Sequence, residues 1–275
     1  MDRDWLEVDH HIHTKYSGHS DPEMSIPRIV EAARAAGLRR IVILEHFPEI
    51  SPRTRLVEDW RASAADSSVF DKIAADIREV EGELGGLRIL RGIEVDADPF
   101  RMDGSLMLPD PRGFDVVLLA AHVFPGGSAF WFDNVNLPPT AAMAVVERWF
   151  DWMEKVLASA PVHAWAHPGD LIGARSLIDR FDNPLVMLRF GRLFEIAAER
   201  NIVFELNELL GRKLPDPVRE SYPALLRLAR SRGVRFCLAT DAHRPDAVGQ
   251  YLWVPALIRA ADLGSRDIVE LGPEE

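Results

Sequence analysis

The chain has 275 residues, of which 47% are apolar and 27% charged, with a formal net charge of −11; this is the composition of a globular protein with a sizeable core, and its acidic balance argues against a general nucleic-acid-binding surface, which would be basic. The single cysteine, Cys237, excludes internal disulfides and a zinc–thiolate cluster, and its place in an apolar run predicts a buried, inert thiol. No apolar stretch is long enough to span a bilayer and residues 1–4 do not open a basic-then-apolar leader, so a cytoplasmic enzyme without a membrane partner is the default expectation.

The first apolar run, residues 6–12, ends in Asp9-His10-His11-Ile12-His13, and His19 follows shortly after. Ile26, Ile29, Val30 and Ala33 then keep i, i+3, i+4, i+7 spacing, which predicts a helix capped at Ser25 and stopped at Gly37. The second run, 41–44, is closed by Glu45-His46 and opens an irregular segment, 47–63. The third, 87–95, carries Gly92-Ile93-Glu94 at its end. The fourth, 114–121, ends at Ala121-His122 and leads into the irregular segment 124–140, which contains Phe124, Phe130, Trp131 and Phe132. Val145, Trp149, Trp152, Met153 and Val156 mark one apolar helical face. The fifth run, 162–166, meets His167-Pro168-Gly169, where proline and glycine break a strand. Phe190, Leu193, Phe194 and Ala197 repeat the helical spacing ahead of run 202–206, as do Tyr222, Leu225, Leu226 and Ala229 ahead of run 234–239. That last run ends in Thr240-Asp241-Ala242-His243.

Most runs are continuous rather than alternating, as in parallel strands covered on both faces. Strands alternating with helices predict a parallel α/β architecture, and seven such units predict a barrel one strand short of the common eight. No Gly/Ser/Pro-rich linker interrupts residues 1–275, so one domain is expected. Loops as long as 47–63 and 124–140 inside a compact domain are usually functional. Both leave from histidine-bearing strand ends, and the second is either packing on the barrel rim or a lid over a site.

Seven of the nine histidines, with Glu94 and Asp241, stand at the downstream ends of these runs. Imidazole and carboxylate are ligands that Zn²⁺, Mn²⁺ and Fe²⁺ accept, and a barrel of parallel strands gathers its strand ends into one pocket. His11 and His13 are two apart on a strand and therefore share a face, as do Asp241 and His243. Glu94 closes an apolar run, where a lone carboxylate is costly unless paired or metal-bound. Nine nitrogen and oxygen ligands exceed one tetrahedral site and fit two or three divalent ions, which a carboxylate such as Glu94 could bridge. His10 alternates away from its neighbours and His163 begins its strand, so both are read as structural.

These motifs resemble the PHP (polymerase and histidinol phosphatase) superfamily of metal-dependent phosphoesterases. Its motifs are met by Asp9-x-His11-x-His13, Glu45-His46, His122 and Asp241-Ala242-His243, with Glu94 and His167 between them. Residues 9–19 (DHHIHTKYSGH), 45–48 (EHFP), 92–96 (GIEVD), 204–213 (FELNELLGRK) and 240–249 (TDAHRPDAVG) are most similar to the histidinol-phosphate phosphatase-like branch. The second motif reads Glu-His in place of the superfamily's usual Asp-His, a variant also met in that branch, and residues 123–137 do not match a histidinol phosphate pocket. The resemblance implies a distorted seven-stranded (β/α)7 barrel of the PHP type with a trinuclear site at the C-terminal ends of its strands. It implies that His11, His13, Glu94 and Asp241 hold one metal, Glu94, His122 and His167 a second, and His19, His46 and His243 a third.

The expected reaction is hydrolysis of a small phosphate monoester, histidinol phosphate-like or another phosphorylated metabolite, by a hydroxide bridging two of two or three divalent ions (Zn, Mn or Fe). Glu94 and Asp241 are the central catalytic ligands. Asp9 is expected to orient a ligand histidine through its distal N–H. Arg212, Lys213 and Arg244 are candidate phosphate contacts, with Arg244, directly after a ligand, the foremost. The chief alternative is a phosphodiesterase or exonuclease using the same metals, disfavoured by the acidic chain. Amidohydrolase chemistry would call for a strand-end lysine, which the sequence does not offer, and a non-catalytic metal module would not need a complete ligand set. The substrate's organic half, the metal and the oligomeric state are not legible in the sequence.

Overall fold

The computed structural model describes residues 4–49, 57–64, 66–108, 110, 111, 113–127 and 137–273. Its core is a run of parallel strands: β1 (Val8–Ile12), β2 (Arg40–Ile43), β3 (His46–Phe47), β4 (Arg88–Asp96), β5 (Val116–Ala120), β6 (Ala164–Trp165), β7 (Val203–Asn207) and β8 (Phe236–Ala239). The order across the sheet is β1-β2-β4-β5-β6-β7-β8, with β3 also on β4. Ile43 lies opposite Arg91 and His46 opposite Glu94, so β3 continues the register of β2 after a break at Leu44-Glu45. The two pieces are one strand, and the barrel has the seven staves expected.

Around it lie α1 (Ile26–Ala35), α2 (Val57–Ser63), α3 (Ser68–Val80), α4 (Pro139–Ser159), α5 (Asp170–Gly173), α6 (Pro184–Glu199), α7 (Leu210–Lys213), α8 (Asp216–Ser231) and α9 (Trp253–Ala260). Helix α1 begins after Ser25 as expected, with Pro27 in its first turn, but the Ser25 hydroxyl does not cap it. Gly37 follows the helix at φ 75°, the left-handed conformation that ends helices and that glycine adopts without steric cost. The irregular segment 47–63 ends in a helix of its own, α2. Along α4, Trp149, Trp152, Met153 and Val156 are buried as expected, while Val145 is only half-buried and Val146 is fully buried beside it. Trp149 and Phe150 on α4 meet Phe190 on α6 at ring distances of 5.9 and 5.1 Å. Of the aromatic segment, Phe124 is buried in the core, while Phe130, Trp131 and Phe132 lie outside the described residues.

Alternation along the staves stratifies the barrel interior. On β4, Leu90, Gly92, Glu94 and Asp96 share one face, while Ile93 and Val95 pack with the surrounding helices. Leu90 joins Val42, Leu44, Val116, Leu118, Ala164, Ala166, Val203 and Cys237 in an apolar inner cluster. The interior is therefore apolar toward the strand starts and charged toward the strand ends. Gly92 sits where the barrel narrows: a Cβ there would lie 2.6 Å from Val42 Cγ1 and 3.1 Å from Leu44 Cβ.

The barrel closes differently at its two ends. At the strand ends Ile12 pairs with Ala242, and His13 N–H donates to Ala242 O at 3.0 Å. At the strand starts, residues 267–269 pair with Phe236 of β8 in parallel fashion. His10 joins that segment to the wall, its Nδ1 2.9 Å from Leu238 O and its Nε2 accepting Leu271 N–H at 3.0 Å. These contacts give His10 the structural role expected. His163 likewise accepts Val117 N–H at 2.9 Å through Nδ1. Among the described residues no helix is long and apolar enough to cross a membrane.

Candidate metal centre

All nine expected ligands converge at the strand ends. His11 is on β1 and His13 just beyond it, Glu94 is on β4, and His122, His167, Asp241 and His243 follow β5, β6 and β8. His19 reaches the group from the loop after β1, and His46 opens β3. His167 and Asp241 have φ of 30° and 56°, a region costly for residues with a Cβ and enriched at functional sites. The sharp turns they make bring both side chains back over the barrel mouth.

Four donor atoms form a compact frame. His11 Nε2 and His13 Nε2 are 3.0 Å apart. Glu94 Oε2 lies 3.4 and 3.5 Å from them, and Asp241 Oδ1 3.6 and 3.4 Å. Metal–ligand arms of about 2.0–2.1 Å in a tetrahedron give edges of about 3.3–3.4 Å, and the four imidazole–carboxylate distances, 3.4–3.6 Å, lie close to that spacing. Glu94 Oε2 is buried and accepts no well-aligned hydrogen bond, its neighbours being imidazole nitrogens in ion-pair range, and a cation would relieve the cost of burying it. The other oxygen, Oε1, faces His167 Nε2 at 2.7 Å and His122 Nε2 at 3.4 Å. Glu94 thus stands between two donor groups. A third group surrounds His19, whose Nε2 lies 2.7 Å from His243 Nε2 and 3.3 Å from His46 Nε2. His46 also turns Nδ1 to within 2.7 Å of Glu94 Oε2, so it adjoins the central frame as well as the third group.

A shell of acceptors sets which nitrogen faces inward. His11 Nδ1 is 2.7 Å from Glu205 Oε1, His122 Nδ1 3.0 Å from Asp96 Oδ2, and His243 Nδ1 2.9 Å from the Asp241 carbonyl. An Nδ1–H donated outward leaves Nε2 with its lone pair toward the centre, the tautomer a metal requires. Glu205 also accepts the His167 N–H at 2.7 Å and the Asn207 amide at 2.9 Å. Glu45 Oε1 accepts Thr14 N–H, the Thr14 hydroxyl and Ser17 N–H at 2.7, 2.6 and 3.1 Å. Those bonds shape the turn whose Ser17 hydroxyl meets His19 Nδ1 at 3.1 Å.

The protein's own charges shift these groups in opposite directions. Burial alone would lower the His122 pKa, but Asp96 and then Glu94 outweigh it and raise it to about 9. For His46 burial prevails over Glu94, aided by the charges of His13 and His122, and the pKa falls to about 4. Burial would raise the Glu94 carboxyl, yet the imidazoles of His46, His11 and His122 hold it well below its ordinary value. Opposed shifts within one pocket are characteristic of functional sites.

One expectation needs correction. Asp9 does not orient a ligand imidazole. Its carboxylate accepts Thr240 N–H at 2.9 Å, the Thr240 hydroxyl, Gly249 N–H at 3.1 Å and His11 N–H at 3.3 Å, so it ties β1 to the turn that presents Asp241. Glu205 takes the role expected of Asp9. Arg244, expected as the foremost phosphate contact, has a side chain 68% exposed and forms a two-point pair with Asp246 at 3.1 and 2.8 Å. Lys213 lies closer to the expected ligands, with Nζ 4.0 Å from Asp241 Oδ2 and 3.6 Å from Asp170 Oδ2. Arg212 is exposed. All three cations line a cavity of about 190 Å³ together with His19, Asp241 and His243. Glu205 and Asp96 carried a signal that could have found them: like Glu94, each is a carboxylate within or closing an apolar strand run.

Comparison with known proteins places these features in context. The family model for the PHP domain matches residues 9–208. A curated protein of Deinococcus radiodurans named "Probable histidinol-phosphatase" is 28% identical over 270 residues, which cover 94% of this chain and 95% of that protein. A "Probable phosphatase" of Caldanaerobacter subterraneus subsp. tengcongensis is 24% identical over 254 residues, covering 90% of this chain and 80% of its own. The crystal structure of histidinol phosphate phosphatase from Lactococcus lactis subsp. lactis, complexed with Zn, L-histidinol and phosphate, is similar in fold. Its TM-score is 0.66 at 17% identity, with 96% of each chain covered.

Proposed function

The chain belongs to the PHP domain family, and from that premise we propose that it is a metal-dependent phosphatase acting on a small phosphate monoester, with residues 1–275 forming one metallohydrolase domain. The observation that carries this reading is the buried pair of His11 and His13 Nε2 atoms, 3.0 Å apart and each 3.4–3.6 Å from both Glu94 Oε2 and Asp241 Oδ1. The two named phosphatases among its relatives support the reaction class.

In this reading His11, His13, Glu94 and Asp241 hold one divalent ion, Glu94, His122 and His167 a second, and His19, His46 and His243 a third. Such ions, when bound, neutralise phosphoryl oxygens and lower the pKa of water towards 7. The protein's own part is to set geometry and charge. Glu205, Asp96 and the Asp241 carbonyl hold the imidazoles in the tautomer that turns Nε2 inward. Glu45 shapes the loop that brings His19 to the third group. Lys213, on the cavity wall beside Asp241, presents an ammonium to a phosphoryl oxygen, and Arg212 and Arg244 add positive charge at the rim of the same cavity. A phosphorylated amino alcohol such as histidinol phosphate is the first substrate to try, given the relative named for that activity.

The test combines elemental analysis with turnover. Purified protein should carry two or three equivalents of Zn, Mn or Fe and hydrolyse histidinol phosphate or another member of a phosphomonoester panel. Chelation should abolish the activity. Metal-free protein with full activity, or a metal-loaded protein that cleaves only diesters or single-stranded DNA, would exclude the proposal.

A further inference from the structure

Asp170 is a buried carboxylate that the metal frame does not use. It follows His167-Pro168-Gly169, where Gly169 has φ 86° and a Cβ would meet the Phe181 ring at 2.8 Å. This forced turn folds the chain back, so that Asp170 N–H donates to His167 O at 3.0 Å. The Asp170 side chain is 5% exposed, and neither carboxylate oxygen makes a well-aligned hydrogen bond. Its charged neighbours are Lys213 Nζ at 3.6 Å and, more distantly, His167 Nδ1 at 3.9 Å.

Lys213 is fixed from the opposite side. Asn207 Oδ1 accepts Leu210 N–H at 2.8 Å at the start of α7, while its amide nitrogen donates to Asp241 Oδ2 at 3.2 Å. Helix α7, which ends in Lys213, is thereby locked in register with a metal ligand. The ammonium then stands 4.0 Å from Asp241 Oδ2 on the wall of the cavity that contains His19, Asp241 and His243.

An ammonium beside several divalent ions faces like-charge repulsion, and Asp241 gives little relief once a metal draws on its charge. Resting on the phosphatase reading, we propose that Asp170 is a positioning residue whose buried carboxylate is the counter-charge that keeps Lys213 at the cavity wall, facing the phosphoryl group. The pair is complementary in cost: the buried carboxylate is tolerable because the ammonium is near, and the ammonium stays because the carboxylate cannot leave. A purely structural Asp170 would serve His167 instead, through the longer 3.9 Å approach.

A double-mutant cycle separates the two roles. D170N, K213M and the double variant are compared with the wild type, all metal-loaded, for kcat/KM on a phosphomonoester that the wild type hydrolyses, for metal content and for affinity to inorganic phosphate. K213M should lose about 100-fold in kcat/KM and D170N about 10-fold. Each should keep wild-type metal content and bind phosphate more weakly. The double variant should be no worse than K213M alone. Losses that multiply in the double variant, or metal shed by D170N in the K213M background, would overturn the proposal and assign Asp170 to His167. If the wild type hydrolyses no phosphomonoester, the phosphatase reading fails. The phosphate-binding cycle still decides the Asp170–Lys213 coupling: non-additive losses support it and additive losses refute it.

Discussion

Glu205 on β7 places Oε1 2.7 Å from Nδ1 of His11 on β1, past the intervening β8 and in complete burial. Its second oxygen holds the His167 backbone at 2.7 Å. One carboxylate therefore orients a candidate ligand on the first strand and anchors the turn that carries another candidate after β6. Replacing it by glutamine keeps the volume but removes the charge that favours the His11 Nδ1–H tautomer. E205Q should bind metal about 10–100-fold more weakly, with activity recovering at excess metal. Titration against a chromophoric chelator checks this, and an unchanged affinity would remove Glu205 from the support of the site.

Glu94 has the larger expected effect, because its two oxygens face different donor groups. E94Q should lower bound metal by at least one equivalent and reduce kcat/KM by about 10³ or more, the equivalent of several kcal/mol of lost charge stabilisation. Metal analysis and steady-state rates on the same preparation test both halves. Full metal content with full activity would refute the central placement.

Gly92 makes a prediction about stability. A methyl at this position would lie 2.6 Å from Val42 Cγ1 on the neighbouring strand, inside the narrow part of the barrel. G92A should destabilise the fold by about 1–3 kcal/mol through overpacking, seen as a lower denaturation midpoint in urea. A midpoint equal to that of the wild type would mean that β2 and β4 can separate without cost.

His163 contributes a pH dependence away from the ligands. Its Nδ1 accepts Val117 N–H, and burial lowers its pKa from the ordinary 6.5. Since the folded state resists the proton that the unfolded chain accepts, this stability is fully present above pH 6.5 and is lost as pH falls from there through the folded-state pKa. H163N keeps an acceptor and does not titrate. The fall in Tm between pH 7.5 and 5.5 should be smaller in H163N than in the wild type, and equal falls would assign the acid sensitivity to other groups.

Much of the site was legible because barrel topology converts strand ends in sequence into neighbours in space. His11 and His13 share a face by strand periodicity, and a carboxylate closing an apolar run, as Glu94 does, needs a partner wherever the strand lies. The same logic extends to Glu205 and Asp96, within and at the end of their runs. It marks them as special without saying whether they touch metal or hold an imidazole. For Asp9 the residue type and position were compatible with a histidine partner, yet the hydrogen bonds go to Thr240 and Gly249. That outcome depends on how the turn after β8 passes β1.

By itself, the sequence determined the parallel α/β class, the seven staves and the nine candidate ligand residues that the fold brings together, because these follow from period, burial cost and ligand chemistry, which are local properties. Only the tertiary structure decided which carboxylate faces which imidazole. The same is true of Lys213, rather than Arg244, standing beside the ligands, and of residues 267–271 completing the barrel next to His10. The reason is physical: these relations are distances of a few ångströms between residues up to 261 positions apart. They are set by strand register and turn direction, which are properties of the assembled fold.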